Sequence, residues 1–326
     1  MALLLTRADV QSALTMTDAI SAVEEAFRQQ QQGTAQLPLR TPIRIPQHKG
    51  LVLFMPAYIG GMDALGMKVV TVYPNNPGQH GLPTILATVL LNDPHTGQLI
   101  AIMDGAYLTA MRTGAASGAA TKYLARPDAK VVGIFGAGIQ ARTQLMAMCA
   151  VRPIVEARVY DPMTELAGAF CRDMGQALGI TVRPVAEPRG AVDGCDIIVT
   201  ASTIKVPVFD GQWLAPGAHI NGVGSHSLDA REVDSLTVRR SKVVVDLRSA
   251  ALAEAGDLVT PINAGEITAE HIYADLGEIV TSKPGRTDAN EITFFKSVGL
   301  AIQDVSTATK VYELARQKGI GQEINL

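Results

Sequence analysis

The stretch Val131-Val-Gly-Ile-Phe-Gly136-Ala-Gly138-Ile-Gln-Ala141 decides the fold of this chain. An apolar run rich in β-branched residues leads into a Gly-x-Gly-x-x-Ala pattern, and a helical segment, 140–149, follows. In this pattern the first glycine permits a tight turn, the second lets the backbone approach a pyrophosphate, and the small third residue lets the helix pack on the strand. The helix N-terminus offers free N–H groups to the anion. The stretch predicts a dinucleotide-binding loop, although the same pattern also occurs in purely structural turns.

An acidic residue at the end of the next apolar run supports the dinucleotide interpretation. Asp161 closes Val159-Tyr160-Asp161 and lies about 20 residues beyond Ala141, where a carboxylate is expected to bind the adenosine ribose hydroxyls. A carboxylate there repels a 2′-phosphate, and no Arg follows in 162–164. The position therefore predicts NAD rather than NADP. The alternative is that Asp161 caps the helix that begins near Thr164.

Strand-like and helical segments alternate along the chain after Arg126. Apolar runs rich in β-branched residues occur at 131–135, 157–160, 197–200, 219–223 and 243–247. Continuous apolar strands separated by helices are typical of a parallel sheet covered on both faces. The predicted fold class is α/β, with a Rossmann-type doubly wound parallel sheet.

The chain before Arg126 has a different pattern. Residues 7–33 predict a helix whose main part is capped by Thr17 and Asp18, and 109–124 predict a helix of small side chains. A last helix is predicted at 293–318, with a tail that can return to this N-terminal zone. Short apolar runs punctuated by Pro and Gly predict a mostly antiparallel sheet, with strands at 40–45, 51–56, 67–73, 84–92 and 98–104.

Composition excludes several classes of protein. Hydrophobic residues make up 47% of the 326 residues and charged residues 18%, which is typical of a globular chain. The formal charge of −3 lacks the excess of positive charge expected of a nucleic-acid-binding protein. No signal peptide or membrane-spanning segment is predicted. Three scattered cysteines fit neither a disulfide framework nor a zinc site, so we expect a cytoplasmic protein without a metal.

Three cations stand among apolar or small residues in the first part of the chain. They are Arg40 in Leu37-Pro-Leu-Arg-Thr, Lys68 in Gly66-Met-Lys-Val and Arg112 in Ala110-Met-Arg-Thr-Gly. A buried cation is unfavourable unless an anion meets it. Two arginines can hold a carboxylate, while a lysine beside them can exchange protons. Each could equally be a surface residue with its head in water, and the hypothesis of an anion site requires that they converge.

The chain resembles the ornithine cyclodeaminase/mu-crystallin family over nearly its whole length. Besides the segments around Arg40, Lys68, Arg112 and Gly136, the matching segments are Met55-Pro-Ala-Tyr58, Pro216–Ser225, Arg231-Glu-Val-Asp234, Asp275–Val280 and Phe294–Gly299. The resemblance implies a homodimer, NAD bound to the Rossmann-type domain, and substrate in the cleft between two domains. We expect residues 1–113 with 305–326 to form an α+β substrate-binding and dimerisation domain, and 114–304 to form the NAD-binding domain.

The resemblance also implies roles for individual residues. Arg40, Lys68 and Arg112 match positions that hold the substrate carboxylate and its amino or imino group, and Lys68 matches the proton donor and acceptor. Twelve residues match positions at or near the cofactor: Thr84, Arg112, Gly136, Gly138, Ile139, Gln140, Asp161, Ser202, Val223, Gly224, Arg231 and Ser297.

One position departs from the cyclodeaminase pattern. Cyclodeaminases carry an Asp after the Gly-Val-Gly-Gly-like turn, whereas this chain reads Gly222-Val-Gly-Ser-His226. Histidine can act as acid or base near neutral pH, but it lacks the carboxylate that would hold the ornithine side-chain ammonium. His226 is therefore a second catalytic candidate, with a loop residue bonded to backbone as the alternative.

These residues predict an NAD(H)-dependent oxidoreductase that reduces a small 2-imino acid to an L-amino acid. Family members that carry a residue other than Asp at the position of His226 resemble ketimine reductase, Δ1-pyrroline-2-carboxylate reductase or alanine dehydrogenase. The first alternative is ornithine cyclodeamination to proline and ammonia, which His226 disfavours. The second is a binding protein of the mu-crystallin type that retains NAD without turnover, which the intact Lys68 and Arg112 disfavour.

Overall fold

The structure is a computed structural model that describes residues 1–325. The chain divides into two compact units: the first holds Met1–Arg112 and the chain from Leu300 onward, and the second holds Thr113–Gly299. The sequence predicted one domain boundary between residues 113 and 114 and a second between residues 304 and 305. The second unit ends before residue 304 because the last helix, which packs in the first unit, already begins at Ala301.

The first unit contains an eight-stranded sheet. Neighbouring strands are ordered β16-β1-β7-β6-β5-β4-β2, and β3 pairs with β4. The β1–β7 pair is parallel and the other pairs are antiparallel, which confirms the separate, mostly antiparallel sheet. The strands are β1 (Ala2–Leu5), β2 (Ala35–Gln36), β3 (Thr41–Ile45), β4 (Gly50–Ile59), β5 (Ala64–Val72), β6 (Ile85–Asn92), β7 (Leu99–Asp104) and β16 (Gln322–Ile324).

Helices pack on this sheet, and the first predicted helix is in fact two. Thr15 is the N-cap of the longer helix: its hydroxyl accepts from the Asp18 N–H, and the Asp18 carboxylate accepts from the Thr15 N–H. This capping box starts a new helix, so the expected cap at Thr17 is wrong and Leu14 is extended. The helices are α1 (Arg7–Ala13), α2 (Met16–Gln31), α3 (Asn76–His80), α4 (Gly105–Leu124), which runs past the division at Arg112, and α11 (Ala301–Lys318).

The second unit contains an eight-stranded parallel sheet, in the order β10-β9-β8-β11-β12-β15-β13-β14. This confirms the predicted α/β fold. The strands are β8 (Val131–Phe135), β9 (Glu156–Tyr160), β10 (Thr181–Pro184), β11 (Ile197–Thr200), β12 (His219–Gly222), β13 (Ser241–Val245), β14 (Ile272–Asp275) and β15 (Ile292–Lys296). The helices are α5 (Ile139–Val151), α6 (Thr164–Leu178), α7 (Ser235–Arg240), α8 (Arg248–Glu254), α9 (Gly256–Asn263) and α10 (Leu276–Thr281).

The predicted helix at 293–318 begins too early. Residues 292–296 form β15 between β12 and β13, and all five are buried, because the β-branched and aromatic side chains of Ile-Thr-Phe-Phe suit a strand covered on both faces. Gly299 has φ +81°, and α11 begins two residues later.

The strand order of the parallel sheet indicates where a ligand would bind. From β8 the chain builds outward to β9 and β10 on one side, and then to β11 and β12 on the other. The order reverses between β8 and β11, and ligands of open α/β sheets bind beyond the carboxyl ends of the strands at such a point. Among the helices described, none is long and apolar enough to cross a bilayer.

Candidate active site

Lys68 lies in the middle of β5 on the face that packs against α11. Alternate residues of β5 are buried, and Lys68 is 1% exposed, with the buried Met55 and Val89 opposite it on the neighbouring strands. Gly66 is required by the neighbouring strand β6, because a Cβ there would lie 2.5 Å from the Leu90 carbonyl oxygen, whereas a Val305 methyl of α11 would be in ordinary contact at 3.5 Å. The β alternation therefore places an amine inside the first unit.

The partner of Lys68 is a buried carboxylate in the first turn of α11. The Nζ of Lys68 lies 2.8 Å from both Asp304 oxygens, and the Nε of Arg112 donates to Oδ1 at 2.9 Å. Arg112 also donates from Nη1 to Oε1 of Gln303 at 2.6 Å. Asp304 is fully buried, and the first turn of a helix is favourable for a negative charge. One carboxylate thus joins two cations that stand 44 positions apart in the sequence.

Burial and charge set the protonation of this amine. Desolvation is the largest effect and lowers the pKa of Lys68; Asp304 opposes it, while Arg112 and Arg40 lower the pKa further, to about 7. Arg40, just before β3 and partly buried, is therefore close enough for its charge to act on Lys68. Lys68 and Arg112 thus meet at one carboxylate, whereas a shared substrate site that includes Arg40 stays a prediction. An amine with this pKa can both give and take a proton near neutral pH.

The glycine-rich loop has the geometry that a pyrophosphate requires. Gly136 has φ +100°, and a Cβ there would lie 2.6 Å from the Ala201 carbonyl oxygen. Gly138 is exposed, and a Cβ there would meet no atom within 4 Å, so the space in front of α5 is open. No side chain caps α5 at Gly138, and the buried Oε1 of Gln140 has no hydrogen-bond partner among the described residues. The loop therefore fits a dinucleotide phosphate.

Asp161 lies at the end of β9 beside this loop. Its carboxylate accepts from the Ala137 N–H and from the Met163 N–H, both at 2.9 Å. Met163 rather than Asp161 is the N-cap of α6, so the alternative role as a helix cap is wrong. Asp161 and the loop line a cavity of about 520 Å³, together with Ser202 and Ile204. Ligand pockets commonly have this size.

Glu232 holds the chain at the carboxyl ends of β11 and β12. The buried carboxylate accepts from the Thr200 hydroxyl at 3.0 Å, and from the Ser202 N–H, the Ser202 hydroxyl and the Gly224 N–H, each at 2.7 Å. Burial raises its pKa. Gly224 is needed here because a Cβ would lie 2.4 Å from a Glu232 oxygen. Two predicted cofactor contacts, Ser202 and Gly224, are thus fixed by a residue that the sequence did not single out.

The other predicted cofactor residues are spread over both units. Ser297 follows β15 and donates to the buried Asp246 at 2.9 Å. Thr84 belongs to the first unit, just before β6, and its carbonyl accepts from the Tyr73 N–H at 2.8 Å. The remaining three lie at the start of α5, just after β12, and in the loop before α7: Ile139, Val223 and Arg231. Their contacts with a cofactor stay predictions.

His226 is exposed in the loop after β12, and its predicted catalytic role stays a prediction. The preceding residue is firmly held: the buried Lys296 donates to the Ser225 carbonyl at 2.7 Å, and the Ser225 hydroxyl donates to Asp257 at 2.5 Å. Lys296 and Asp257 form an ion pair at 2.7 Å. Across residues 1–325, no three His, Cys, Asp or Glu side chains are grouped closely enough to hold a metal ion.

Sequence reasoning missed Asp304, Gln303 and Glu232. The sequence contains an indication of the first two, because Gln303 and Asp304 interrupt the apolar residues between Ile302 and Val305. A buried acid in such a place needs a cation. Glu232 had no such signal, since Arg231-Glu-Val-Asp234 is typical of an exposed turn.

Comparisons with known proteins agree with this geometry. The chain is 39% identical over 326 residues to an alanine dehydrogenase of Archaeoglobus fulgidus, covering 99% of this chain and 98% of that one. The solved Δ1-pyrroline-2-carboxylate reductase of Thermococcus litoralis, in complex with NADH and L-proline, is 49% identical with a TM-score of 0.95, covering 99% of this chain and 100% of that one. A solved archaeal alanine dehydrogenase dimer with bound NAD is 38% identical with a TM-score of 0.93, covering 100% and 99%.

The family assignment rests on a match that is longer than any one motif. The model of the ornithine cyclodeaminase/mu-crystallin family matches residues 1–319, which include β5, the glycine-rich loop and the buried turn of α11. The segments around Lys68, Arg112 and Gly136, which carried the resemblance in the sequence, also contribute to the buried ion cluster and the glycine-rich loop. This chain belongs to the ornithine cyclodeaminase/mu-crystallin family.

Proposed function

We propose that this chain is an NAD(H)-dependent oxidoreductase that reduces a small 2-imino acid to the L-amino acid. The observation that carries the proposal is the buried amine of Lys68, which shares Asp304 with Arg112 and feels the charge of Arg40. Three cations against one carboxylate leave an excess of positive charge that suits a substrate carboxylate. The named relatives, a pyrroline-2-carboxylate reductase and alanine dehydrogenases, act on compounds of this class and support the assignment.

NAD(H) is the cofactor that the second unit fits best. The open space before α5, the carboxylate of Asp161 and the nearby cavity suit the pyrophosphate and the adenosine ribose. Bound NADH would supply the hydride that reduces the imine carbon. Solved relatives contain NADH or NAD, which supports the same choice. We assign the second unit to cofactor binding, and the first unit to substrate binding and dimerisation.

The cations of the first unit divide the remaining chemistry between them. Arg40 and Arg112 bind the substrate carboxylate and so fix the orientation of the C=N bond. Lys68 donates a proton to the imine nitrogen, which stabilises the negative charge that develops there during reduction. His226 is the second candidate for the acid. Cyclisation of ornithine is disfavoured, because His226 stands where a carboxylate would hold the side-chain ammonium.

A substrate panel tests the proposal. Consumption of NADH is followed with Δ1-pyrroline-2-carboxylate, Δ1-piperideine-2-carboxylate, and pyruvate with ammonia, while L-ornithine is incubated with catalytic NAD and assayed for proline. We expect turnover of one or more imino acids and negligible proline formation. Proline formation from ornithine at a comparable rate would contradict the assignment. Tight NADH binding without turnover of any imino acid would favour a non-catalytic binding protein.

We also propose a cytoplasmic homodimer. Apart from Met1, the large apolar side chains that the described residues of the first unit expose all lie on β3, at the start of β6 or in the segments just before these strands: Leu39, Ile43, Leu82, Ile85 and Leu86. Apolar groups concentrated in this way are typical of an interface. A cytoplasmic location is supported by three free cysteines, Cys149, Cys171 and Cys195, since unpaired thiols suit a reducing compartment.

A further inference from the structure

Asp304 contacts both Lys68 and Arg112, the two buried cations of the proposed substrate site. Its side chain is fully buried at the start of the helix, and each of its contacts with Lys68 and Arg112 is 2.8 to 2.9 Å long. The amine of Lys68 lies at the same distance from both carboxylate oxygens. A buried ion network of this kind contributes little net stability compared with well-packed apolar residues. Its geometry therefore suggests a role in the site.

We infer that Asp304 is the positioning residue of the active site, which orients the Lys68 amine and the Arg112 guanidinium and keeps Lys68 able to carry a proton. The part of this inference that concerns catalysis rests on the proposed function. Asp304 acts through Lys68 and Arg112 and is not assigned a contact with the substrate.

The balance of charge around Lys68 supports this role. Three charged groups face the amine: Asp304 from α11, Arg112 from α4, and Arg40 from the segment before β3. Both arginines and burial favour the neutral amine, and Asp304 is the group that favours the ammonium. An Asn in its place would leave Lys68 between two positive charges in a desolvated position. Its pKa would then fall below the present value of about 7.

Gln303 provides a matched control next to Asp304. It is equally buried and contacts Arg112 through Oε1, but it carries no charge, and it is not among the groups that act on Lys68. Gln303→Met removes a hydrogen bond to Arg112 at similar volume. We expect Gln303→Met to weaken substrate binding and to leave the titration of Lys68 in place.

The test measures the titration of Lys68 directly and through activity. The protein is labelled with ¹³C-lysine, and the Lys68 signal is assigned by its loss in Lys68→Met and followed by NMR against pH with and without NADH. In parallel, kcat/KM for imino-acid reduction is measured against pH. For Asp304→Asn we expect the Lys68 midpoint to fall by about 1–3 pH units. The pH at which kcat/KM declines on the alkaline side should fall by the same number of pH units.

Two outcomes separate this inference from the proposed function. A Lys68 midpoint that is unchanged in folded Asp304→Asn overturns the inference, whatever the activity. If the midpoint falls but no imino acid is reduced by the wild-type protein, then Asp304 still controls Lys68 and the proposed function is wrong. If Asp304→Asn does not fold, Asp304→Glu keeps the charge on a longer stem. Its Lys68 midpoint should stay near the wild-type value while kcat falls at least about tenfold, and wild-type kcat in this variant would overturn the inference.

Discussion

At the scale of single residues, the proposed chemistry depends on the Lys68 amine, whose pKa burial lowers. Lysine in water holds its proton until strongly alkaline pH, whereas the pKa of Lys68 is lowered to about 7 by desolvation and two arginines, with Asp304 acting against them. A donor with a pKa near the working pH is efficient in proton transfer. The same amine can serve reduction of an imino acid and, in the reverse direction, oxidation of an amino acid.

Removal of the amine should abolish most of the turnover. Lys68→Met should reduce kcat by about 10²–10⁴-fold, the usual range for a general acid. The affinity for NADH should stay nearly unchanged, because the glycine-rich loop and Asp161 lie in the other unit. Met keeps most of the side-chain volume, so the fold should survive. Steady-state kinetics and NADH titration check this; a raised KM with normal kcat would show that Lys68 is only a binding cation.

The change of kcat/KM with pH should have opposite signs for imino-acid reduction and for amino-acid oxidation. Imino-acid reduction needs protonated Lys68, so its kcat/KM should fall as pH rises through about 7, the pKa of the buried amine. Oxidation of the amino acid needs the neutral amine, so its kcat/KM should rise over the same range. Because kcat/KM reports the free enzyme, the two profiles should share one midpoint. Profiles that fall or rise together would point to another acid, with His226 as the first candidate.

At the scale of elements, the β8–α5 loop and the end of β9 determine the choice of cofactor. Asp161 stabilises the loop by accepting from the Ala137 N–H, and the same carboxylate faces the cavity where a ribose would lie. It therefore has a structural role, and we propose that it also binds the ribose. A 2′-phosphate would meet this negative charge.

Replacement of Asp161 should narrow the preference for NADH over NADPH. Asp161→Ala removes the acceptor for the ribose hydroxyls and the repulsion of a 2′-phosphate, so NADH should bind more weakly and NADPH relatively better. Dissociation constants of both cofactors measured by fluorescence titration give the ratio. Glu165→Ala, in the first turn of α6, is a matched loss of a carboxylate that should leave the ratio unchanged. Tighter binding of NADPH than NADH by the wild-type protein would refute the prediction.

At the scale of the whole molecule, the apolar residues exposed on the first unit are the main feature that a single chain leaves unexplained. Leu39 is 70% exposed, and Ile43 and Ile85 are each 50% exposed. Side chains of this kind gain stability when a second copy covers them, at roughly 25 cal/mol per Å² of apolar surface. A related alanine dehydrogenase is a dimer in its solved structure.

A charge placed among these residues should weaken the proposed dimer. Ile43→Lys should shift the protein toward single chains in sedimentation velocity at low concentration, because a lysine buried in an apolar interface loses its hydration. Val155→Lys is the control: Val155 is also apolar, is 55% exposed and lies in the second unit, so this change should leave the mass unaltered. A wild-type protein that sediments as a single chain would contradict the prediction.

The sequence alone determined the features that depend on local pattern. The parallel sheet followed from apolar runs that alternate with helices, and the glycine-rich loop followed from spacing that few other structures need. Prediction failed where the same residues fit both a strand and a helix. Residues 292–296 are separated from α11 by a short segment that includes Gly299, and pairing with the neighbouring strands β12 and β13 makes them a strand.

Tertiary structure alone decided what surrounds the amine. Arg40, Lys68 and Arg112 are recognisable as unusual cations in the sequence, yet the carboxylate that joins Lys68 and Arg112 comes from a turn of α11 more than 190 positions after Arg112. No local pattern links Asp304 to Lys68, because the pairing is created by the packing of α11 on one face of β5. The sequence thus determined which groups can do the chemistry. The packing of α11 decided the protonation state in which Lys68 would do it, because desolvation and the sum of nearby charges exist only in the folded chain.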